Sequence, residues 1–298
     1  MTPKISITGL SRRYGDQLVL DDVTLDIEGA SITGLLGRNG AGKTTLMRII
    51  GAQEFPSAGS VRVLGADPIE NDAVLRRMVF IRENQAYPDF KVRHAVRAAS
   101  WFYPGWSGDL AETLLADFEL PVERAIKKLS HGMRSALGIV IGLAARAEVT
   151  LFDEPYAGLD AVARHRFYDR LLADYAHYPR TVLLSTHLID EVADLLERVV
   201  MIDRGRVVLD AAADELRGSR MAVSGPAAAV DAFVAGRATS NRRRIASRES
   251  VVVAGMLDSD DRIWAQELQL SLKPLSLQEM VVHAAGDATE DLQERTSA

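Results

Sequence analysis

The chain has 298 residues, of which 47% are hydrophobic and 26% charged, a composition typical of an ordinary soluble globular protein. Its formal net charge of -6 argues against a protein that binds nucleic acid by bulk electrostatics, because that mode of binding needs many Lys and Arg side chains facing phosphates. It contains no cysteine, which excludes disulfides and thiolate metal sites, and its six histidines show no metal-ligand spacing.

The N-terminal segment, MTPKISITGL, has no apolar stretch of signal-peptide length, so we expect a cytosolic protein. The most apolar segment, residues 136–152, is interrupted by Arg146 and Glu148 and is too short to span a bilayer. Any membrane contact is therefore expected to go through a partner.

The predicted strands are of two kinds. Two alternate apolar and polar residues, and three are continuous apolar runs. The alternating strands are residues 4–10 and 23–27. The continuous apolar runs are residues 31–37, 149–155 and 181–186. Helical patterns separate the apolar runs, which indicates a parallel sheet covered on both faces.

Residues 84–147 have a helical pattern rich in aromatic residues and are predicted to form a helical insertion. The aromatic cluster is interpreted as core, with a docking surface as the alternative, and comprises Trp101, Phe102, Tyr103 and Trp106.

After residue 217 the pattern changes to short strands about one helix. We expect a domain covering residues 1–217 and a small α+β accessory domain over 218–298, with a disordered tail from about residue 288. The basic cluster of Arg242, Arg243, Arg244 and Arg248 is interpreted as a solvated strand face, with phosphate or acidic-partner recognition as the alternative.

The segment GRNGAGKTT, after the third predicted strand, matches the phosphate-binding P-loop pattern. Glycines allow a tight turn whose backbone N–H groups face phosphates, and the following helix points its positive end there. Lys43 is expected to bridge the β- and γ-phosphates of a nucleotide, and the Thr44 hydroxyl to ligate Mg²⁺. The candidate nucleotide contacts are Gly37, Asn39, Gly40, Ala41, Gly42, Lys43, Thr44 and Thr45. The alternative is an ordinary glycine-rich turn.

A second motif, VTLFDEP, ends a buried strand with two carboxylates. Asp153 is expected to hold Mg²⁺, and Glu154 to polarise the attacking water, because ligands of open α/β sheets collect at the carboxyl edge of the strands. A pair of residues that caps the next helix is the alternative.

With these motifs in order, the chain resembles the nucleotide-binding subunits of ATP-binding-cassette (ABC) transporters over residues 3–217. The resemblance implies an α/β P-loop NTPase fold with a mixed sheet core. It further implies that Tyr14 stacks on adenine, that Asp160 in EPYAGLD lies against a second subunit, and that His187 contacts the γ-phosphate. Tyr14 has a core tyrosine as its alternative, Asp160 a helix cap, and His187 a structural histidine.

Two motifs depart from the family pattern. The glutamine that reaches towards Mg²⁺ aligns with Glu83, a residue that adds negative charge, although Gln85 is nearby and a solvated loop acid is the alternative. The signature Leu-Ser-Gly-Gly-Gln appears as LSHGM, with His131 in place of the first Gly and Met133 in place of Gln.

Ser130 and Gly132 retain the signature groups that contact the γ-phosphate of an ATP held by the other subunit. A plain N-cap at Ser130 is the alternative interpretation.

The resemblance therefore implies an ATPase that uses ATP and Mg²⁺, forms a homodimer or heterodimer around two ATP molecules, and drives separate transmembrane permease chains. An exporter-type branch is favoured. The alternatives are a soluble cassette ATPase acting on ribosomes or DNA, and a nucleotide-sensing regulator with weak hydrolysis.

Overall fold

The computed structural model describes residues 3–83, 85–255 and 257–283. Contacts divide them into two compact units. The first runs to Leu188 and also contains Asp194–Asp210, and the second contains Ile189–Ala193 and the residues from Ala211 onward. The sequence pattern predicts a domain boundary near residue 217. The tail predicted from about residue 288 lies outside the described residues.

The elements are numbered in chain order. The strands are β1 (Ile5–Tyr14), β2 (Gln17–Ile27), β3 (Ser31–Leu36), β4 (Ala58–Val63), β5 (Met78–Arg82), β6 (Val149–Asp153), β7 (Thr181–Ser185), β8 (Arg198–Asp203), β9 (Arg206–Ala212), β10 (Arg220–Pro226), β11 (Thr239–Ile245), β12 (Arg248–Ala254) and β13 (Ser271–Pro274). The α-helices are α1 (Lys43–Ile50), α2 (Asp72–Leu75), α3 (Val92–Phe102), α4 (Gly108–Asp117), α5 (His131–Ala144), α6 (Ala161–His177), α7 (Ile189–Val192), α8 (Ala213–Leu216), α9 (Ala227–Val234) and α10 (Ser259–Glu267). Short 3₁₀ helices cover Ile126–Lys128 and Ala193–Leu195, and residues 277–283 are also helical.

The larger sheet of the first unit has six strands in the order β5-β6-β7-β3-β8-β9. Its pairs from β5 to β8 are parallel. β9 follows β8 after a turn at Arg204 and Gly205, and a connection this short joins only antiparallel strands. β6 and β7 are buried along their whole length, as expected for strands covered on both faces. The sheet is mixed, as the family resemblance implies.

A second sheet of three strands, β2-β1-β4, is antiparallel. β1 and β2 form one long hairpin that extends to the pair Tyr14 and Gln17, whereas the sequence analysis predicted strands only over residues 4–10 and 23–27. The missed residues lie where the register shifts between β1 and β2. Such irregularities disrupt the regular alternation on which the prediction depended.

Helix α1 anchors the phosphate loop to the core. Its residues Leu46, Met47, Ile49 and Ile50 are buried in a cluster that also contains side chains from both sheets, among them Leu183 of β7. Apolar side chains recur at helical spacing on this side of α1, so one side of the helix is buried. This packing holds the start of the helix in place beyond the end of β3.

Helices α3, α4 and α5 fall within the predicted helical insertion. α5 is buried from Ser135 to Ala144 and lies close to β6, since a Cβ added at Gly142 would stand 2.6 Å from the Phe152 ring. The core interpretation of the aromatic cluster is wrong for Trp101 and Phe102, which are 70% and 41% exposed. The buried side of α3 carries Val92 and Ala95 instead.

The second unit has a split βαβ arrangement, in which β10-α9-β11-β12-α10-β13 form an antiparallel sheet of order β11-β12-β10-β13. Two helices connect its strands, so the expectation of one helix was wrong. The missed helix, α10, is rich in charged residues and begins with a capping box at Asp258. Arg243, Arg244 and Arg248 are exposed, as the solvated-face interpretation predicts.

Candidate functional site

The phosphate loop connects β3 to α1, and its geometry requires glycine at two positions. Gly37 has φ 149°, and a Cβ there would lie 2.2 Å from the Ile202 carbonyl oxygen. Gly42 has φ 108°, and its added Cβ would lie 2.7 Å from Leu20 Cδ2. Gly42 is the N-cap of α1 and has no side chain to accept a hydrogen bond from the first N–H groups of the helix. This end of the helix is therefore suited to an anion.

Lys43 places its ammonium group inside the loop. Its Nζ donates to the carbonyl oxygens of Gly37 at 2.7 Å and Arg38 at 3.2 Å. Burial lowers the pKa of Lys43, while the nearby carboxylates of Glu154 and Asp153 act in the opposite direction. The lysine is thus held beside two acids and at the point where phosphates are expected.

A cavity of about 310 Å³ brings most of the predicted nucleotide and metal residues together. It is lined by Val19, Asn39, Gly40, Gly42, Lys43, Thr44, Thr45, Glu83, Asp153 and Glu154. Gly37 and Ala41 belong to the same loop but do not line the cavity. Val19 was missed by the sequence analysis, because an aliphatic residue in a strand carries no phosphate-binding signal.

Asp153 ends β6 with a side chain suited to a cation. The residue is 4% exposed, and its Oδ1 atom has no hydrogen-bond partner among the described residues. A buried carboxylate oxygen without a partner is costly, and Mg²⁺ prefers oxygen ligands. Among the described residues, no group of three or more His, Cys, Asp or Glu side chains could by itself hold a metal. The oxygen atoms of Asp153 and Thr44 therefore fit the ligand preference of a Mg²⁺ ion, which these two residues would hold.

Glu154 and His187 follow neighbouring parallel strands, β6 and β7, whose last residues Asp153 and Ser185 are paired. The Nδ1 atom of His187 lies 3.0 Å from Glu154 Oε2. The His187 side chain is 48% exposed. The two predicted catalytic side chains are thus in contact at the carboxyl edge of the sheet, next to the phosphate cavity.

The two candidates for the glutamine position, Glu83 and Gln85, have different surroundings. Glu83 lines the phosphate cavity. The Oε1 atom of Gln85 instead accepts from the backbone N–H of Arg82 at 3.4 Å, so Gln85 folds back on its own strand. This geometry favours Glu83 over Gln85.

Tyr14, at the end of β1, lies outside the residues that line the phosphate cavity. Its hydroxyl hydrogen-bonds to Glu54, and the guanidinium carbon of Arg12 stands 4.5 Å from its ring centroid. The ring is exposed. Its stacking on adenine stays a prediction.

Ser130, Gly132 and Asp160 line a second cavity of about 400 Å³, together with residues from the end of α4 and the start of α6. Ser130 Oγ accepts from Met133 N at 3.2 Å, and Asp160 Oδ1 accepts from Ala163 N at 2.8 Å. Both residues are therefore helix N-caps, as the alternative interpretations predicted. The cavity that they line is not the one lined by the phosphate loop.

The unusual His131 packs against the loop that carries Asp160. A Cβ added at Gly158 would lie 2.5 Å from His131 Cδ2, and one added at Gly132 would lie 2.4 Å from the Gly158 carbonyl oxygen. Gly132 is therefore required for close packing, which is a separate reason for glycine from the backbone role expected from the sequence. No pattern in the sequence indicated this contact, because the two segments are far apart in the chain.

Comparisons with known proteins agree with this arrangement. A family model described as "ABC transporter" matches residues 20–157. The ABC transporter ATP-binding protein YtrB of Bacillus subtilis is 29% identical over 214 residues, which cover 72% of this chain and 73% of that protein. The Nod factor export ATP-binding protein I of Ralstonia nicotianae is 32% identical over 223 residues, with coverages of 72% and 69%.

A solved structure, that of an ATP-binding subunit of an ABC transporter, aligns with a TM-score of 0.64 at 27% identity. The alignment covers 71% of this chain and 91% of the other. In the described part of this chain, no helix has both the length and the apolar character needed to cross a membrane.

Proposed function

Because this chain belongs to the ABC transporter family and is an ATPase of that family, we propose that two copies of it close around two ATP molecules and drive a separate membrane permease. The proposal is carried by the division of the candidate site. The phosphate cavity contains Lys43, Asp153 and Glu154, whereas Ser130 and Asp160 line a different cavity. Both halves of a complete site are present in one chain, so two identical copies suffice to form two complete sites.

ATP binding is assigned to the phosphate loop. The N–H groups at the start of α1 and the ammonium group of Lys43 bind and orient the β- and γ-phosphates, with Tyr14 against adenine. Thr44 and Asp153 would hold Mg²⁺, with Glu83 near it, and the ion would neutralise phosphate charge. The loop is expected to contact the phosphates through its own backbone N–H groups. Its backbone conformation therefore matters for binding, and that conformation depends on glycine.

Hydrolysis is assigned to the pair at the ends of β6 and β7. Glu154 orients the attacking water and accepts its proton, and His187, in contact with Glu154, donates to a γ-phosphate oxygen. Ser130 and the N–H of Gly132 from the other copy contact the same phosphate, with Asp160 at the interface. Each γ-phosphate is then enclosed only when the two copies meet, so hydrolysis depends on closure.

The permease is proposed to dock on the helical region and to keep the protein at the inner face of the membrane. Support comes from the exposed rings of Trp101 and Phe102 at the end of α3, since exposed apolar groups at one place often mark an interface.

The name of the Ralstonia relative includes export. Export is therefore the direction of transport that we propose. A soluble ATPase acting on ribosomes or DNA is not favoured, because the matched relatives are ATP-binding subunits of this family.

Changing Ser130 to Ala is expected to lower the turnover of ATP about tenfold, a barrier increase of ~1.4 kcal/mol, because one donor to the γ-phosphate is lost. The affinity of the single chain for ATP should stay unchanged, since Ser130 does not line the phosphate cavity. Steady-state ATPase assays and nucleotide titrations measure the two effects.

Ser107→Ala is the matched control for this variant. Ser107 is the N-cap of α4 and accepts from Leu110 N, so its loss costs stability in the same way as the loss of the Ser130 cap. Turnover should remain near that of the unmodified protein in Ser107→Ala. Equal turnover in both variants would remove Ser130 from the ATP site.

A further inference from the structure

The loops after β6 and β7 begin side by side. Asp153 pairs with Ser185 at the strand ends, and the backbone N–H of Glu154 donates to the Ser185 carbonyl oxygen at 3.2 Å. One loop continues to Asp160, which faces the second cavity. The other continues to His187. Contacts between these loops can therefore link the two halves of the site within one chain.

Tyr156 makes such a contact. Its hydroxyl lies 2.5 Å from the hydroxyl of Thr186, the residue directly before His187. Tyr156 is 3% exposed, and burial raises the pKa of its hydroxyl to about 12, so it remains protonated at neutral pH. Thr186 Oγ1 also accepts from Leu188 N at 2.9 Å. Tyr156 thus holds Thr186, and Thr186 in turn holds the backbone of Leu188. These are the residues directly before and after His187.

The same loop is held on its other side by α5. Ser135 Oγ donates to the Ala157 carbonyl oxygen at 2.6 Å, and the His131 ring packs against Gly158. Residues 156–158 therefore contact α5 at one end and the His187 loop at the other. Since so few residues separate these contacts, we expect a displacement of α5 or of Asp160 to move Tyr156 as well.

His187 needs positioning by its neighbours. Its side chain is about half exposed, so its own packing does not fix the ring beside Glu154. The Tyr156 and His187 ring centroids are 6.1 Å apart, which places the tyrosine next to the histidine it is expected to orient. A buried hydroxyl pair at the preceding residue supplies the constraint that the exposed ring lacks.

We propose that Tyr156 is a positioning residue, which through its hydrogen bond to Thr186 holds His187 beside Glu154 and links that pair to the Asp160 loop. This inference rests on the proposed function, because it assumes that Glu154 and His187 act on ATP. It assigns to Tyr156 no contact with the nucleotide. The effect of losing the bond should therefore appear in the turnover and leave nucleotide binding intact.

The test is Tyr156→Phe, which removes the hydroxyl and keeps the ring. We expect kcat for ATP to fall about tenfold, with KM and the ATP affinity of the single chain changed by less than about twofold. Thr186→Val should have a similar effect, and the double variant should lose no more than either single one. Thr186→Ser, which keeps the hydroxyl, should retain most of the turnover.

Tyr178→Phe is the matched control, because the exposed Tyr178 loses the same group while its ring stays under the guanidinium group of Arg146. A turnover of Tyr156→Phe equal to that of this control would overturn the inference. Additive losses in the double variant would also overturn it. If the unmodified protein hydrolyses no ATP with Mg²⁺, the proposed function fails instead.

Discussion

Glu154→Gln is expected to bind ATP and to hydrolyse it at least about a hundredfold more slowly than the unmodified protein, a barrier increase of ~2.7 kcal/mol. Glutamine has the shape of glutamate but cannot accept the proton of the attacking water. The loop would keep its shape, since the variant leaves Lys43 and Asp153 in place. ATP-bound dimers should therefore accumulate, which light scattering measures alongside the release of phosphate.

Glu112→Gln is the control for this variant. Glu112 is exposed on α4 and lines neither cavity. Its substitution therefore makes the same change of charge at a distance from the site. Its turnover should match that of the unmodified protein. A Glu154→Gln variant that releases phosphate at the control rate would exclude Glu154 as the group that activates water.

Gly37→Ala is expected to abolish ATP binding and to lower the free energy of unfolding by about 3 kcal/mol. Two effects add. The backbone φ of 149° is strained for alanine, and the new Cβ would collide with the Ile202 carbonyl oxygen at 2.2 Å. Neither can be relieved by rotating a side chain, because the colliding atom belongs to the backbone. Thermal unfolding and a nucleotide titration measure the two losses.

Gly15→Ala separates strain from collision. Gly15 also has a positive φ, of 55°, but an added Cβ meets no atom of the described residues within 4 Å. Its cost should be only the ~1–2 kcal/mol of a left-handed backbone, with ATP binding retained. Similar losses of stability and binding in both variants would contradict the steric account of Gly37.

The phosphate loop and the first carboxylates could be predicted from the sequence because their chemistry is local. Strand, glycine turn and helix are adjacent in the chain, so Gly37, Lys43 and Thr44 are recognisable together. Asp153 and Glu154 follow a buried strand for the same reason. The ABC ATPase fold predicted from these motifs is confirmed by the matched relatives and structure.

The contacts that join distant segments could not be predicted. The packing of His131 on Gly158 and the bond between Tyr156 and Thr186 depend on how α5 and β7 meet the loop after β6. Exposure was also misjudged for Trp101, because aromatic residues in a helical pattern usually face a core. In α3 the helix is buried through smaller residues, and the pattern alone does not reveal which side is covered.

In the proposed dimer, the phosphate loop of one copy and Ser130 of the other enclose each ATP. Mixing two inactive variants, Lys43→Ala and Ser130→Arg, and measuring ATP hydrolysis with Mg²⁺ tests this arrangement. A mixed dimer has one site in which the loop and the signature are both intact, so the mixture should hydrolyse ATP although neither variant does alone. A mixture as inactive as its components would contradict the claim.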